Sequence, residues 1–245
     1  MDAKFSKLCK SVEKYFYDSS DIITEKRNII KIVNFDEKKY VIKSFKVPNL
    51  VNKFAYRFLR ASKAKRSYIN AKKLIKLGIN TPKPICYSEN FTLLLNRSYY
   101  ISEYFDFDFE IRDVLNDNNF NDRENILKEF VKFSYNLHQK GVYHIDYSPG
   151  NVLIKILKNR YEFALVDLNR MNFINFSDEL RFKNLSRFSA IDEDTEFIAK
   201  EYAKISGIDE DFAIKTLKKY DDKHQQYREN KKRLKNLKTT KTSSN

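Results

Sequence analysis

Between residues 124 and 167 the hydrophobic pattern changes from helical to strand-like across one short polar loop, and that change dictates most of the architecture. Residues 124–140 predict an amphipathic helix with Ile126, Leu127, Phe130, Val131 and Leu137 on one side and Gly141 at its end. A loop over 141–151 follows. Two apolar runs come next, VLIKI and YEFALVD, each the length of a buried strand. Beyond them, residues 191–206 and 209–236 read as helices, the second capped by Asp209.

The first hundred residues have a different character. Residues 28–35 (NIIKIVNF) and 39–45 (KYVIKSF) are rich in β-branched and aromatic residues, and Asp36-Glu37-Lys38 between them predicts a hairpin turn. A helix is expected over 67–77, capped by Ser67 and stopped by Gly78, with Thr81-Pro82 and Pro84 blocking continuation. Three short strands are then expected in ICYSE, FTLLL and YYISEYF, separated by Asn90 and by Asn96-Arg97-Ser98. The order is a strand-rich half (1–104) and then a helix-rich half (105–245) with a basic tail from about 231. The class is therefore α+β. The joint lies near Glu103 to Phe107, and a cleft between two such halves is a natural place for a ligand.

The chain carries 47 Lys and Arg against 33 Asp and Glu, a formal charge of +14 that favours anionic partners: nucleic acid, phosphorylated sugars or an acidic membrane face. Charge alone does not choose among them, and much of the lysine simply solvates the surface. No nucleic-acid-binding module is recognisable, so a specific nucleic-acid partner is not expected. Cys9 and Cys86 lie far apart and near no metal ligands, and His138, His144 and His224 are too scattered for a zinc site. A reducing, cytoplasmic setting is expected. The N-terminus lacks the apolar core of a signal peptide, and no apolar run approaches the length of about 20 residues that crosses a bilayer. Any membrane association is expected to be peripheral.

Chemistry concentrates in three places. His144-Ile145-Asp146-Tyr147-Ser148-Pro149-Gly150-Asn151 has the H-x-D-x-x-x-x-N spacing of a kinase catalytic loop and sits between a capped helix and a strand. An Asp there accepts or orients the proton of an attacking hydroxyl, and the Asn reaches a metal that bridges phosphates. His144 reads as a structural brace. Asp167 ends the strand FALVD in the position of a metal-binding Asp, within Asp-Leu-Asn rather than Asp-Phe-Gly. Two oxygen donors of this kind suit Mg²⁺, which keeps its other positions for phosphate and water. Tyr40-Val41-Ile42-Lys43 resembles the strand whose Lys pairs with nucleotide phosphates, with Lys46 as a rival for the role. Any one piece alone is weak, since an Asp after a strand is usually a turn residue. Their order on these elements makes the combination informative.

With these residues in place the chain resembles the lipopolysaccharide kinases (Kdo/heptose kinases), which share the bilobal protein-kinase-like fold. The resemblance runs over roughly residues 28–200. It is strongest at Lys76-Leu77-Gly78-Ile79-Asn80-Thr81-Pro82-Lys83-Pro84, at Asp146-Tyr147-Ser148-Pro149-Gly150-Asn151 and at Asp167-Leu168-Asn169-Arg170-Met171. It implies ATP, Mg²⁺ and transfer of phosphate to a hydroxyl of Kdo or heptose in the lipopolysaccharide inner core. Carried over, Asp146 is the catalytic base, Asn151 and Asp167 are metal ligands, and Lys43, Glu103, Asn151 and Asp167 bind the nucleotide. Three departures stand out. The first hairpin has no glycine. Ser148 stands where protein kinases place a Lys, which makes a protein substrate less expected. No Asp or Glu occurs from Val47 to Ser88, so the helix Glu that normally pairs with the strand Lys is missing, and Ile69 and Asn70 occupy its plausible positions. Asn70 is expected to orient Lys43 by a neutral hydrogen bond.

The same acid-free stretch holds Lys53, Arg57, Arg60, Lys63, Lys65, Arg66, Lys72, Lys73 and Lys76, and suggests a surface facing lipopolysaccharide phosphates or inner-leaflet lipid. The tail Lys231-Lys232-Arg233-Leu234-Lys235 is similar but less specific. Three other readings stay open at this point: another small-molecule or protein kinase similar to aminoglycoside phosphotransferases, a non-catalytic pseudokinase, and, last, a basic nucleic-acid binder. The sequence does not set the oligomeric state.

Overall fold

The computed structural model describes residues 3–25, 28–46, 60–91, 95–158, 160–188 and 192–242. The chain folds as two compact units. The first comprises Met1–Asp108 with Ala164–Met171, and the second Phe109–Phe163 with Asn172–Asn245.

The first unit opens with α1 (Ala3–Lys10), α2 (Val12–Asp18) and β1 (Ile22–Thr24). The β-branched runs then form the expected hairpin, β2 (Ile29–Phe35) against β3 (Lys38–Phe45). Asp36 and Glu37 turn it at φ 50° and 60°, the pair of left-handed residues that matches a hairpin's twist. After α3 (Lys63–Lys76) come β4 (Pro84–Phe91) and β5 (Leu95–Glu103), giving a five-stranded sheet in the order β1-β2-β3-β5-β4.

Successive side chains on a strand point to opposite faces. On β3, Tyr40 and Ile42 enter a core made with Leu8, Val12 and Phe16 of α1 and α2 and Ile101 of β5. Lys43, one residue on, therefore leaves by the other face. Lys43 lies opposite Tyr100 of β5, and Tyr68 of α3 packs at 5.4 Å, tilted, against Tyr87 of β4.

Three expectations change here. Helix α3 starts four residues early, because Ser62 rather than Ser67 caps it by accepting from the Lys65 amide at 3.0 Å; Ser67 sits inside, bonded to the Lys63 carbonyl. Two strands replace the three expected over 84–104, with Asn96-Arg97-Ser98 running inside β5; residues 92–94 of the middle run lie outside the described residues. Cys9 and Cys86 are joined in a disulfide that pins α1 to β4. Residues 77 apart in sequence gave no sign of this, and such a bond is typical of oxidising compartments. The thiols therefore lend no support to a reducing setting. Lys53 and Arg57 of the basic stretch lie outside the described residues. No helix of the described residues is long and apolar enough to cross a membrane.

The second unit begins with β6 (Phe109–Glu110), α4 (Ile111–Asn116) and α5 (Arg123–Gln139). All five apolar residues expected on the inner side of α5 are buried. Phe130 packs at 4.6 Å against Phe188, and burying a side chain of this size contributes roughly 1.5–3 kcal/mol. Gly141 ends the segment at φ +70°, where an added Cβ would stand 2.8 Å from the Ile174 carbonyl oxygen. The expected loop at 141–151 contains a short strand, β7 (Val142–His144), and a 3₁₀ turn at Pro149–Asn151. The chain then forms β8 (Val152–Leu157), β9 (Arg160–Leu165) and β10 (Met171–Phe173), and closes with α6 (Asp178–Leu185), α7 (Asp192–Ser206) and α8 (Glu210–Thr242). Asp209 caps α8 by accepting from the Phe212 amide at 2.8 Å.

Candidate active site

In the first unit, the Lys43 ammonium donates to Oδ1 of Asp167 at 2.6 Å. Lys43 is only 8% exposed, so burial of the ammonium is offset by a full opposite charge. Its rival Lys46 is exposed, and its backbone amide reaches Asn28. Asp167 sits at φ 58°, a left-handed conformation that Asp tolerates better than most residues. Asn169 closes the turn by donating to the same Oδ1 at 2.6 Å.

The segment that carries Asp167 is tied to the sequence stretch Asn80-Thr81. The Leu165 amide donates to the Asn80 carbonyl at 3.1 Å, and the Thr81 hydroxyl donates to the Leu165 carbonyl at 2.7 Å. This explains why a helix end and a Thr-Pro pair accompany the Asp. Asn70 donates at 2.7 Å to the Leu168 carbonyl. The expectation that Asn70 orients Lys43 is corrected by this bond: Asn70 ties α3 to the Asp167 turn, and Asp167 itself holds the lysine. Ile69 is exposed. Glu103 closes β5 opposite Tyr40. Its amide donates to the Lys83 carbonyl at 2.9 Å, and its carboxylate pairs with the Lys83 ammonium at 3.2 Å.

The second unit holds Asp146 and Asn151 on one turn. Nδ2 of Asn151 donates to the Asp146 carbonyl at 2.8 Å and to the Ser148 hydroxyl at 3.2 Å. Tyr147, between them, is fully buried with its hydroxyl 2.7 Å from Ser134; burial pushes its pKa up. The Asp146 carboxylate lies 3.6 Å from the Arg187 guanidinium.

A buried polar chain braces the start of this turn. Arg181 donates to the Tyr202 hydroxyl at 3.2 Å, which lies 2.8 Å from Nδ1 of His138. Nε2 of His138 is 3.2 Å from Oδ1 of Asn184, and the Asn184 amide donates to the His144 carbonyl at 3.0 Å. An amide oxygen only accepts, so this network assigns the His138 proton to Nε2 and an acceptor role to Nδ1. Burial, with the nearby Arg181 charge, keeps the ring neutral and lowers its pKa to about 3. Sequence reasoning placed a brace at His144. His144 is buried, with its ring 6.2 Å from that of Tyr147, and His138, six residues earlier on α5, supplies the buried hydrogen-bonded relay.

The sequence profile of the lipopolysaccharide kinase (Kdo/WaaP) family matches residues 22–207. The chain belongs to that family. This kinase is also similar to a solved structure described as WaaP in complex with acyl carrier protein, with a TM-score of 0.60 and 13% identity over 91% of this chain and 97% of the other. No curated protein matches the chain. The fold is thus the bilobal kinase-like α+β fold with an antiparallel sheet and a helical part, and the kinase is a phosphotransferase acting on the lipopolysaccharide core.

Sequence reasoning missed four side chains in the second unit. Arg112, Arg187, His224 and Arg228 line one cavity of about 410 Å³ with Ser148 and Phe188. They come from two helices and a turn, so no single motif in the sequence announces them.

Proposed function

We propose that this kinase transfers the γ-phosphoryl group of ATP to a hydroxyl of Kdo or heptose in the lipopolysaccharide inner core. The observation that carries this reading is the braced turn that presents Asp146 and Asn151 together. Asp146 takes the role of general base, accepting the proton of the attacking sugar hydroxyl. Arg187 beside it places a positive charge near the position where protein kinases carry the Lys replaced here by Ser148. The pull of Arg187 also keeps the Asp146 carboxylate from turning away from the acceptor.

The donor set fits Mg²⁺, which takes oxygen ligands from one or two protein side chains and the rest from phosphate and water. Asp167 supplies one carboxylate. Asn151, whose Nδ2 is engaged within its own turn, supplies its amide oxygen. Bound magnesium neutralises charge developing on the phosphate oxygens. Lys43 holds phosphate, oriented by Asp167 in place of a helix Glu, and Glu103 is assigned to the nucleotide. In this reading residues 1–104 cover the nucleotide and residues 105–245 carry the catalytic loop and acceptor. The site of action is the cytoplasmic face of the inner membrane, with the basic residues Arg60, Lys72, Lys73 and Lys76 facing anionic lipid.

The test is mass spectrometry of Kdo-lipid A and heptose-containing core oligosaccharide incubated with the kinase, ATP and Mg²⁺. One added phosphate on either acceptor is the expected result. ATP consumption with neither acceptor modified would direct the search to other alcohols, and no phosphotransfer at all would favour a pseudokinase. A companion measurement is calorimetry of ATP with Asn151→Ala and Asp167→Ala, expected to weaken the Mg²⁺-dependent part of binding. An unchanged isotherm for both removes the metal assignment.

A further inference from the structure

The cavity beside the catalytic turn has a composition that the phosphoryl donor does not account for. His224 and Arg228 are spaced i, i+4 on α8 and so share one face of that helix. Arg112 comes from α4 and Arg187 from the segment after α6. None of the residues lining the cavity is acidic. The carboxylates paired with its arginines are not among that lining: Glu110 on Arg112 at 3.3 Å and Asp146 on Arg187 at 3.6 Å. Arg228 has no such pair among the ion pairs of the described residues. Burial, together with the charges of Arg187 and Arg228, holds the His224 pKa below its ordinary value.

The turn itself is shaped for this cluster. A Cβ on Gly150 would overlap the Arg112 guanidinium, so the glycine of Ser148-Pro149-Gly150-Asn151 lets that cation lie directly against the catalytic turn. Phe188 adds an apolar wall. The volume falls within the range of about 300–1,000 Å³ usual for small-molecule sites.

We propose that this cavity is the acceptor subsite and that it selects an acceptor carrying an oxyanion close to the reacting hydroxyl. Arg112, Arg228 and His224 hold the anion, and Arg187 joins it to Asp146. Guanidinium forks match the planar geometry of a carboxylate and also bind phosphate. Two sources supply that chemistry in the lipopolysaccharide core: the carboxylate of a sugar acid such as Kdo, and a phosphate ester on a neighbouring sugar. The proposal rests on the kinase reading for the word acceptor, but anion binding at the cavity is testable without turnover.

The experiment measures binding in the absence of ATP, by calorimetry or ligand-observed NMR. The probes are the methyl glycoside of Kdo, its carboxyl-reduced counterpart, and a glucosamine disaccharide with and without its phosphates. The proteins are wild type, Arg112→Gln and Arg228→Gln. Both residues are exposed, so the fold is expected to survive, and unchanged ATP binding confirms that it has. The expected result is that one acid binds about tenfold or more tightly than its neutral counterpart, and that either Gln variant removes most of that difference. Preference for the Kdo glycoside identifies the carboxylate as the anion, and preference for the phosphorylated disaccharide identifies the phosphate. Equal binding of acid and neutral probes, or a preference untouched by both variants, overturns the proposal. Loss of phosphotransfer with anion binding intact would instead fault the kinase reading and leave the subsite standing.

Discussion

The two units hold their polar residues by different means. In the first, Lys43 and Asp167 are bound directly to each other, 124 residues apart in sequence, and the surrounding support comes from backbone carbonyls at Asn80, Leu165 and Leu168. In the second, Asp146 sits on a turn held from below by a relay of buried side chains that ends on the His144 carbonyl. A direct ion pair can reorganise when a nucleotide supplies competing phosphates. A relay of buried hydrogen bonds, each fixed by the next, keeps its geometry through the reaction. The difference fits a lysine and an acid that exchange partners on binding, and a base that stays where it is.

The largest expected effect breaks the second unit's chemistry and leaves the first alone. Asp146→Ala removes the general base and should lower kcat by about 10²–10⁴-fold. ATP binding should remain, because the substitution leaves Lys43 and Asp167 in place. Turnover equal to wild type would take Asp146 out of the mechanism.

The disulfide reverses the comparison. It closes a loop across residues 77 apart, and chain entropy assigns such a crosslink about 4 kcal/mol. Cys9→Ser should therefore destabilise the first unit by an amount of this order. Hydrogen exchange should report faster opening of β2, β3 and β5, with α5 to α8 unaffected. Equal exchange throughout would mean that the bond carries none of the unit's stability.

What could be read in the sequence was what lies close together in it. Asp146 and Asn151 share one turn, and the strand before Asp167 announces itself by its apolar run. The hairpin was legible because Asp36-Glu37 interrupts two β-branched segments. Pairings across long separations were not. Asn70 looked like a substitute for a missing Glu because spacing alone suggested it, whereas its partner is a carbonyl 98 residues away. The arginine cavity draws one arginine each from α4, the turn after α6 and α8, and isolated arginines in a chain of charge +14 carry no signal. The start of α3 was misplaced because Ser62 and Ser67 are the same cap-forming residue type, and only hydrogen bonding distinguishes the cap.

The relay predicts a pH dependence confined to the second unit. His138 is neutral when folded, with a pKa of about 3, while in the unfolded chain it titrates near about 6.5. Between these values the unfolded state binds the extra proton. Stability is therefore fully present above about 6.5 and falls with decreasing pH, by up to about 1.4 kcal/mol per unit. Urea melts at pH 7 and pH 5 should differ by about 2 kcal/mol from this group. His138→Gln, which cannot titrate, should lower stability at pH 7 and flatten that slope. A variant as pH-sensitive as wild type would assign the effect to other groups.

The smallest expected effect decides how the first unit manages without a helix acid. Asn70→Ala deletes one hydrogen bond to the Leu168 carbonyl and should cost about 1 kcal/mol, with a modest rise in KM for ATP as the Asp167 turn loosens. Asn70→Asp separates two accounts of the residue. If Asn70 serves by donating to Leu168, a carboxylate in its place has no proton to give and faces a carbonyl oxygen, so Asp should be worse than Ala. If its service is to Lys43, Asp restores the missing charge and should bind ATP better than Ala. The 2.7 Å bond to Leu168 and the separate pairing of Lys43 with Asp167 favour the first outcome. A gain for Asn70→Asp over Asn70→Ala would show that the lysine draws on α3 after all.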